Sequence, residues 1–318
     1  MQLLNIVALP YKLIELIALI WDIVFLFLNR LGDKLMGNQS FKKVFASVLL
    51  APLVLIAGQS ALAQSAPVAQ GKTELLWFGQ AGFRIKTPAG KMILIDPWIT
   101  GGPKTPPQYK NDLAAIGPID AVLVTHAHVD HIGDAPAVAK SNNVKLYGPA
   151  DMVTPLITLG ILPADLGWRF NKTGRVTPLP GVKVTAVQAE HSSLLVWKNP
   201  ATEKMESHPA GEAMGYIIEL ENGFKIWHMG DTGLFSDMKF ISEHYKPDLV
   251  LIPIGGNFTM APDDAAFALK TWVKPKMVIP MHYNSNPMTK GTLAEFQAAM
   301  KGSNIKIIPM TEGETVQF

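Results

Sequence analysis

The sequence predicts a mixed α/β (α+β) fold with four layers, in which helices cover the outer faces of two stacked β-sheets in an αββα sandwich. Short apolar runs alternate with Gly, Pro and Asn throughout residues 72–318, as expected for many short strands. Strand-like runs occur early and again late, with helical segments between them, which favours mixed sheets. A layer of helices on each side would bury both outer sheet faces.

Eleven segments have the Val, Ile, Leu and Phe content and the flanking turn residues of strands. They are Glu74–Phe78, Gly82–Thr87, Lys91–Asp96, Ala121–Thr125, Val144–Tyr147, Val182–Gln188, Met214–Leu220, Phe224–His228, Leu249–Ile254, Met277–Met281 and Ile305–Ile308. Five other segments have helical composition: Ala135–Ser141, Asp151–Leu159, Leu234–His244, Asp263–Val273 and Thr292–Lys301. Nothing in residues 72–318 indicates a second domain, so we expect a single domain there.

Residues 1–63 have the pattern of an export signal. Phe41-Lys42-Lys43 provides a basic start, Val44–Ala57 an apolar run, and Ala61-Leu62-Ala63 an A-x-A cleavage site. The apolar run is shorter than the roughly 20 residues that a membrane-spanning helix needs. We therefore expect cleavage after Ala63, a linker at 64–71 and an exported, periplasmic domain at 72–318.

A second apolar block, Leu13–Leu28, precedes this signal and contains Glu15 and Asp22. Charges near a bilayer centre are costly, so an interfacial helix and a membrane anchor both stay open. In another interpretation translation starts at Met36, which would give a signal peptide of ordinary length. Membrane contact is expected only through this leader, and the protein is membrane-anchored only if the leader is retained.

Composition excludes several classes of partner. Residues 1–63 carry five basic and three acidic side chains, which leaves 23 of each sign in residues 64–318. A formally neutral body does not have the charge of a nucleic-acid binder, so we expect a small-molecule substrate instead. Cysteine is absent, which excludes disulfides, thiolate metal ligands and a cysteine nucleophile. The sequence leaves the oligomeric state open.

Three of the eight histidines lie within six residues, at His126, His128 and His131. The segment follows the apolar run Ala121–Val124, and neutral imidazole is a common ligand of transition metals. The i, i+2 spacing at a strand end sends two rings to one side. The chain then turns, so that Asp130 and His131 can face a second ion nearby. This cluster therefore indicates half of a two-metal site.

Four further polar residues each follow a strand-like run: Asp96, His191, Asp231 and His282. Side chains at strand ends collect at one edge of a sheet, where loops can shape a site. Asp231 suits either metal ligation or a turn before a helix. Asp96 suits either a site role or a turn, since Pro97 follows it.

The motif His126-x-His128-x-Asp130-His131 matches the signature of the metallo-β-lactamase superfamily. Three further segments resemble the branch of metal-dependent hydrolases related to ascorbate-6-phosphate lactonase. They are Asp231-Thr-Gly-Leu-Phe-Ser-Asp-Met-Lys, Pro253-Ile-Gly-Gly-Asn-Phe-Thr-Met and Ile279-Pro-Met-His-Tyr-Asn. The resemblance covers residues 72–318 and implies the αββα fold.

The resemblance also implies a set of ligands for two metal ions. The residues that correspond to ligands of the first metal are His126, His128 and His191. Those of the second are Asp130, His131 and His282, and Asp231 resembles the carboxylate that bridges both ions. Asp96 resembles a carboxylate that orients a ligand imidazole through its other ring nitrogen. Asp130 is also expected to aim the attacking hydroxide.

At two positions the chain differs from other families of the same fold, and these differences narrow the expected chemistry. The commonest metallo-β-lactamases have a cysteine where this chain has Asp231, so the β-lactamase interpretation is disfavoured. Flavo-diiron proteins of the same fold have a glutamate where this chain has His128, and an imidazole there favours hydrolysis over iron redox chemistry. The expected cofactors are two divalent ions, zinc in the first place or manganese.

The sequence thus predicts a metal-dependent hydrolase that uses a dinuclear metal hydroxide on a small ester, lactone or phosphodiester. The alternatives are a membrane-associated phosphodiesterase resembling phospholipase D, and a metal-binding protein without turnover. Position near the expected site suggests four substrate contacts: His208, Asn257, Tyr283 and Asn284.

Overall fold

Two seven-stranded sheets form the middle of the computed structural model, which describes residues 71–318. The strands are β1 Glu74–Gly79, β2 Gly82–Lys86, β3 Met92–Ile95, β4 Ala121–Leu123, β5 Leu146–Pro149, β6 Gly167–Phe170, β7 Arg175–Leu179, β8 Val182–Gln188, β9 Leu194–Lys198, β10 Met205–Pro209, β11 Met214–Glu219, β12 Lys225–His228, β13 Leu249–Pro253, β14 Met277–Met281, β15 Lys306–Ile307 and β16 Thr315–Gln317. The expectations for residues 1–63 and for nearly all of the linker lie outside the described residues.

Short helices connect many of these strands. They are α1 Pro107–Lys110, α2 Val129–Ile132, α3 Ala135–Asn142, α4 Ala150–Thr158, α5 Met238–Tyr245, α6 Pro262–Ala268 and α7 Leu293–Ala299, with a 3-10 turn at Leu113–Ile116 and a π-turn at Leu269–Val273. Among residues 71–318, none of the helices is long and apolar enough to cross a membrane.

Both sheets are mixed, as the sequence predicts. The first has the order β16-β1-β2-β3-β4-β5-β6, and the second has the order β15-β14-β13-β12-β11-β8-β7. In the first sheet, β3 to β6 are parallel and the pairs from β16 to β3 are antiparallel. In the second, β12 to β15 are parallel and the pairs from β7 to β12 are antiparallel.

Three hydrophobic cores separate four layers and confirm the αββα arrangement. The inner core joins the facing sides of the two sheets, with Trp77 of β1 and Tyr216 of β11 both buried in it. Phe78, the next residue of β1, points the other way into a core beneath α3 and α4. Trp227 of β12 lies in a third core beneath α5, α6 and α7. Burial of both sheet faces explains why the strands are continuous apolar runs.

Five strands lie outside the segments that were predicted as strands: β6, β7, β9, β10 and β16. The ribbon of β9 and β10 alternates between exposed and covered residues, with Leu195 buried and Val196 exposed. β9 is mostly apolar and β10 mostly polar, and the two strands pair only with each other in a separate two-stranded sheet. β16 has three residues and pairs with β1 from the far end of the chain, which no local pattern indicates.

Candidate metal centre

Strand direction brings the predicted site residues to one edge of each sheet. β1, β3 and β4 run the same way in the first sheet, as do β8, β12 and β14 in the second. One to three residues beyond the ends of five of these strands lie Asp96, His126, His191, Asp231 and His282. Loops at the carboxyl ends of such strands are where open sheets build sites.

The first cluster consists of His126, His128 and His191, whose ligand atoms converge. His128 Nδ1 lies 3.0 Å from His126 Nε2 and 3.2 Å from His191 Nε2. Three nitrogens bound to one tetrahedral zinc at about 2.0–2.1 Å would be roughly 3.3–3.4 Å apart. The cluster therefore has nearly the spacing that a divalent ion requires.

The second cluster consists of Asp130, His131, Asp231 and His282, with all ligand atoms within 4.8 Å of one another. His282 Nε2 lies 3.2 Å from Asp130 Oδ2 and 3.0 Å from Asp231 Oδ2. His131 Nε2 lies 3.2 Å from Asp231 Oδ1. Two carboxylates and two imidazoles form a donor set suited to a divalent ion.

Asp231 faces both clusters and is almost completely buried. Besides its contacts with His131 and His282, its Oδ2 lies 3.7 Å from His191 Nε2 of the first cluster. The Oδ2 atom of Asp231 thus lies near imidazoles of both clusters, while Oδ1 faces the second cluster alone. The turn after β12 gives it this position, because Gly230 has a φ of 64° that favours glycine.

Unsatisfied polar atoms in the second cluster support a cation there. Although His131 Nε2 and Asp231 Oδ1 are only 3.2 Å apart, their geometry is not that of a hydrogen bond. Neither buried atom has a hydrogen-bond partner among residues 71–318. Because buried polar atoms are normally satisfied, a bound cation accounts for both. The residues present thus fit the metal that the fold implies.

Burial keeps the first cluster neutral. It lowers the pKa of His126 well below the usual value, and the neighbouring ring of His131 lowers it further. Burial is also the main cause of the lowered pKa of His128 and of His191. Neutral rings have free lone pairs, which is the state that binds metal.

The second cluster has the opposite electrostatics. Burial opposes protonation of His131 and His282, but the carboxylate of Asp231 and its neighbours outweigh it. They raise the pKa of His131 well above its usual value and that of His282 to about 9. Burial likewise disfavours the charged forms of Asp130 and Asp231, yet the adjacent rings, His131 first, hold both carboxyl pKa values far below normal.

Asp96 connects the two clusters from behind. Its Oδ2 accepts hydrogen bonds from His131 Nδ1 at 2.8 Å and from the Thr125 hydroxyl at 2.7 Å, and its Oδ1 accepts from Thr125 N. The Thr125 Oγ1 lies 3.1 Å from His126 Nδ1. One fully buried carboxylate therefore orients a histidine of each cluster, directly for His131 and through Thr125 for His126. The contact with His131 Nδ1 is of the kind that the family resemblance implies for Asp96, although the sequence does not indicate which histidine it orients.

Two residues of the site were missed by the sequence analysis. Thr125 is the relay just described. Gln80 follows β1 and places its amide 2.7 Å from both Asp130 Oδ2 and His282 Nε2. The signal for Gln80 was available: it is a polar residue at the end of a strand parallel to β3.

The four predicted substrate contacts are dispersed. Asn257 lines a cavity of about 710 Å³ formed by the loops after β13 and β14. Tyr283 stacks on Trp77 at 6.0 Å between ring centroids, and Asn284 donates its N–H to Thr289 O. His208 contacts Glu206 at 3.3 Å within the ribbon of β9 and β10. Their contact with substrate stays a prediction.

Comparison with known proteins identifies the class. The model of the β-lactamase superfamily domain matches residues 91–283, a range that contains both clusters. An isothiocyanate hydrolase from Delia radicum gut bacteria has the same fold, with a TM-score of 0.59 at 20% identity over 77% of this chain and 99% of that one. Fold and match together define a member of the β-lactamase superfamily with the metallo-β-lactamase fold.

Relatives narrow this class to a family. A UPF0173 metal-dependent hydrolase of Polynucleobacter asymbioticus is 86% identical over 89% of this chain and its own whole length. Another, of Roseiflexus castenholzii, is 38% identical over 77% of this chain and 97% of its own. Igni18, a metallo hydrolase from Ignicoccus hospitalis, is 33% identical with a TM-score of 0.66, over 78% of this chain and 98% of that one.

The chain belongs to the UPF0173 metal-dependent hydrolases of the β-lactamase superfamily. The relation to ascorbate-6-phosphate lactonase stays a prediction.

Proposed function

We propose that this metal-dependent hydrolase holds two divalent ions and cleaves a small ester, lactone or phosphodiester. The observation that carries the proposal is the pair of clusters with the Asp231 carboxylate between them. His126, His128 and His191 would hold one ion, and Asp130, His131 and His282 the other. Two such ions polarise a carbonyl or phosphoryl oxygen and lower the pKa of water.

The chain's own residues would then orient the reactants. Asp130 stays ionised because the rings of His131 and His282 lower its carboxyl pKa despite burial. Its carboxylate can accept a hydrogen bond from the attacking water and direct a lone pair at the substrate. The same carboxylate can pass a proton to the leaving group.

The test is a metal count combined with a substrate panel. Full-length protein is stripped with chelator, reloaded with zinc or manganese, and assayed on aryl esters, lactones and phosphodiesters. We expect two ions per chain by mass spectrometry and turnover in one class that disappears on stripping. Two ions with no turnover in any class would contradict hydrolysis and favour a metal-binding role.

His126→Ala tests the ligand assignment, with His244→Ala as the matched control. His244 lies at the end of α5, where its ring stacks on Phe240 away from both clusters. We expect His126→Ala to lose the first ion and His244→Ala to keep both. Full metal content and full activity in His126→Ala would show that the assignment is wrong.

Metal loading should depend on pH at the second cluster more than at the first. Because the pKa of His282 is raised to about 9, its ring is protonated at pH 7 in the metal-free protein. An ion must displace that proton, and affinity falls by about tenfold per pH unit for each proton released. The lowered pKa values of the first cluster leave little to displace there. Affinity for the second ion should therefore weaken as pH falls from 9 to 7.

Calorimetric titration in two buffers of different ionisation enthalpy measures this release. We expect protons to leave with the second ion and few with the first. At pH 6 the protein should retain one ion and lose the other. Equal proton release for both ions would contradict the assignment of the clusters.

We also propose that the protein acts after export, on a small-molecule substrate. Support comes from the signal-like sequence before Ala63 and from the neutral charge of residues 64–318. N-terminal sequencing of protein recovered from the periplasm of an expression host tests this. A periplasmic chain that begins at residue 64 is expected, and an unprocessed chain in the cytoplasm would contradict it.

A further inference from the structure

Gln80 lies against the second cluster as closely as the members of that cluster lie against each other. Its amide nitrogen is 2.7 Å from Asp130 Oδ2 and 2.7 Å from His282 Nε2, and those two atoms are 3.2 Å apart. Ligand atoms about 2.1 Å from one ion and 90–109° apart would be separated by roughly 3.0–3.4 Å. The end of the Gln80 side chain occupies the third corner of a triangle whose two Gln80 sides are slightly shorter than this spacing and whose remaining side matches it.

The backbone at Gln80 indicates a side-chain role. Gln80 and Ala81 form the turn between β1 and β2, and Gln80 has a φ of 49°. Asn and Gly are the residues that favour this left-handed conformation in a hairpin turn. Strain of this kind persists where the surroundings enforce it, often at functional sites. Here His282 N and the Trp77 indole both donate to the Gln80 carbonyl oxygen.

The other end of the Gln80 amide is unsatisfied. Its Oε1 is buried and has no hydrogen-bond partner within residues 71–318. A half-turn of the carboxamide exchanges its oxygen and nitrogen without changing its shape. The oxygen would then face Asp130 Oδ2 at the 2.7 Å that now separates the amide nitrogen from it, and two oxygens this close repel each other unless a cation lies beside them.

From these contacts we infer that Gln80 is a further residue of the second cation site, which it completes through its carboxamide oxygen. When no cation is bound there, the amide nitrogen donates to Asp130 Oδ2 and holds that carboxylate beside His282. This inference rests on the proposed dinuclear function. The Gln80 oxygen joins carboxylate oxygens of Asp130 and Asp231, whereas the first cluster offers three imidazoles and, besides them, only the shared Asp231 carboxylate.

This difference in donors predicts a difference in metal preference. Carbonyl and carboxylate oxygens suit manganese, and imidazole suits zinc. The second cluster with Gln80 should accept manganese more readily than the first. Loss of the Gln80 oxygen should therefore weaken manganese binding more than zinc binding at that cluster.

Three substitutions of Gln80 separate a ligand from a hydrogen-bond donor. Gln80→Asn keeps the amide but shortens the side chain, Gln80→Leu removes the polar end, and Gln80→Glu keeps an oxygen ligand but removes the donor. Gln297→Glu, on the exposed side of α7, is the matched control for charge. The readouts are ions per chain, the manganese affinity from electron paramagnetic resonance titration, and thermal unfolding of the metal-free protein.

We expect Gln80→Asn and Gln80→Leu to lose at least about tenfold in affinity for the second ion, with the first unchanged. Gln80→Glu should retain two ions with equal or tighter affinity. The metal-free Gln80→Asn protein should unfold at or above the wild-type temperature, because Asn adopts positive φ more readily. This variant keeps the test informative if Gln80→Leu does not fold.

Second-ion affinity within twofold of wild type in both Gln80→Asn and Gln80→Leu would overturn the inference while leaving the dinuclear proposal intact. Weakening in Gln80→Glu equal to that in Gln80→Leu would overturn the ligand role. A wild-type protein that binds a single ion would overturn the dinuclear proposal and, with it, the role of Gln80.

Discussion

Asp231→Asn should lose the second ion and reduce hydrolysis to the background rate. The substitution keeps the shape of the side chain but removes the charge that faces His131, His282 and, at 3.7 Å, His191. Loss of an outer partner of a ligand costs about 10–100-fold in affinity, and loss of a shared ligand should exceed this range. Activity and metal content should therefore fall together.

The metal-free Asp231→Asn protein should also be less stable near pH 7. The raised pKa values of His131 and His282 depend first on Asp231 among their charged neighbours. Removing one partner of a buried ion pair costs at most about 3–5 kcal/mol, and release of protons from the rings limits the loss. The loss should be largest below about pH 6.5, where the histidines are protonated in the unfolded chain too, and should shrink as pH rises through 9, where His282 becomes neutral in the wild-type protein.

Asp237→Asn is the matched control, since Asp237 is exposed at the start of α5. Metal content by mass spectrometry and unfolding in urea at several pH values give the comparison. An Asp231→Asn protein with two tightly bound ions would contradict the bridging role.

The layers of the fold could be predicted because they depend on local patterns. Trp77 and Phe78 are neighbours in β1 that lie in different cores, so a continuous apolar run is the signature of a strand buried on both faces. The ribbon of β9 and β10 departs from this rule. β9 contains an apolar run, yet Val196 is exposed while its neighbour Leu195 is buried, because the ribbon is a separate two-stranded sheet covered on one face.

The candidate site likewise contains residues that the sequence predicts and residues that it does not. His126, His128 and His131 could be recognised because metal ligands that share one loop leave a pattern in the sequence. Asp231 and His282 were recognised as strand-end residues, and shared strand direction explains why they meet. Thr125 and Gln80 act through contacts with residues distant in the chain. Thr125 contacts Asp96, and Gln80 contacts His282. Thr125 has an ordinary local explanation at a strand end, and Gln80 has one in a hairpin turn. The strand-end position of Gln80 is therefore a weak signal, which the three-dimensional contacts make specific.

Asp96→Asn should weaken binding of both ions by about 10–100-fold. The Asp96 carboxylate accepts a hydrogen bond from His131 Nδ1. It also accepts one from the Thr125 hydroxyl, and through this hydroxyl it orients His126. An amide cannot accept all of these hydrogen bonds, so the His131 ring would move its proton to Nε2, the atom that faces the second ion.

Thr125→Val separates the two effects of Asp96. It removes the hydroxyl that connects Asp96 to His126 but leaves the 2.8 Å contact between Asp96 and His131. The valine variant should therefore weaken the first ion and spare the second, whereas Asp96→Asn should weaken both. In the double variant the loss at the first ion should be less than the two single losses combined, because both changes break the same relay. Competition with a chelator measures the affinity for each ion in the two single variants and in the double variant. Independent, additive losses at the first ion would show that Asp96 does not act on His126 through Thr125.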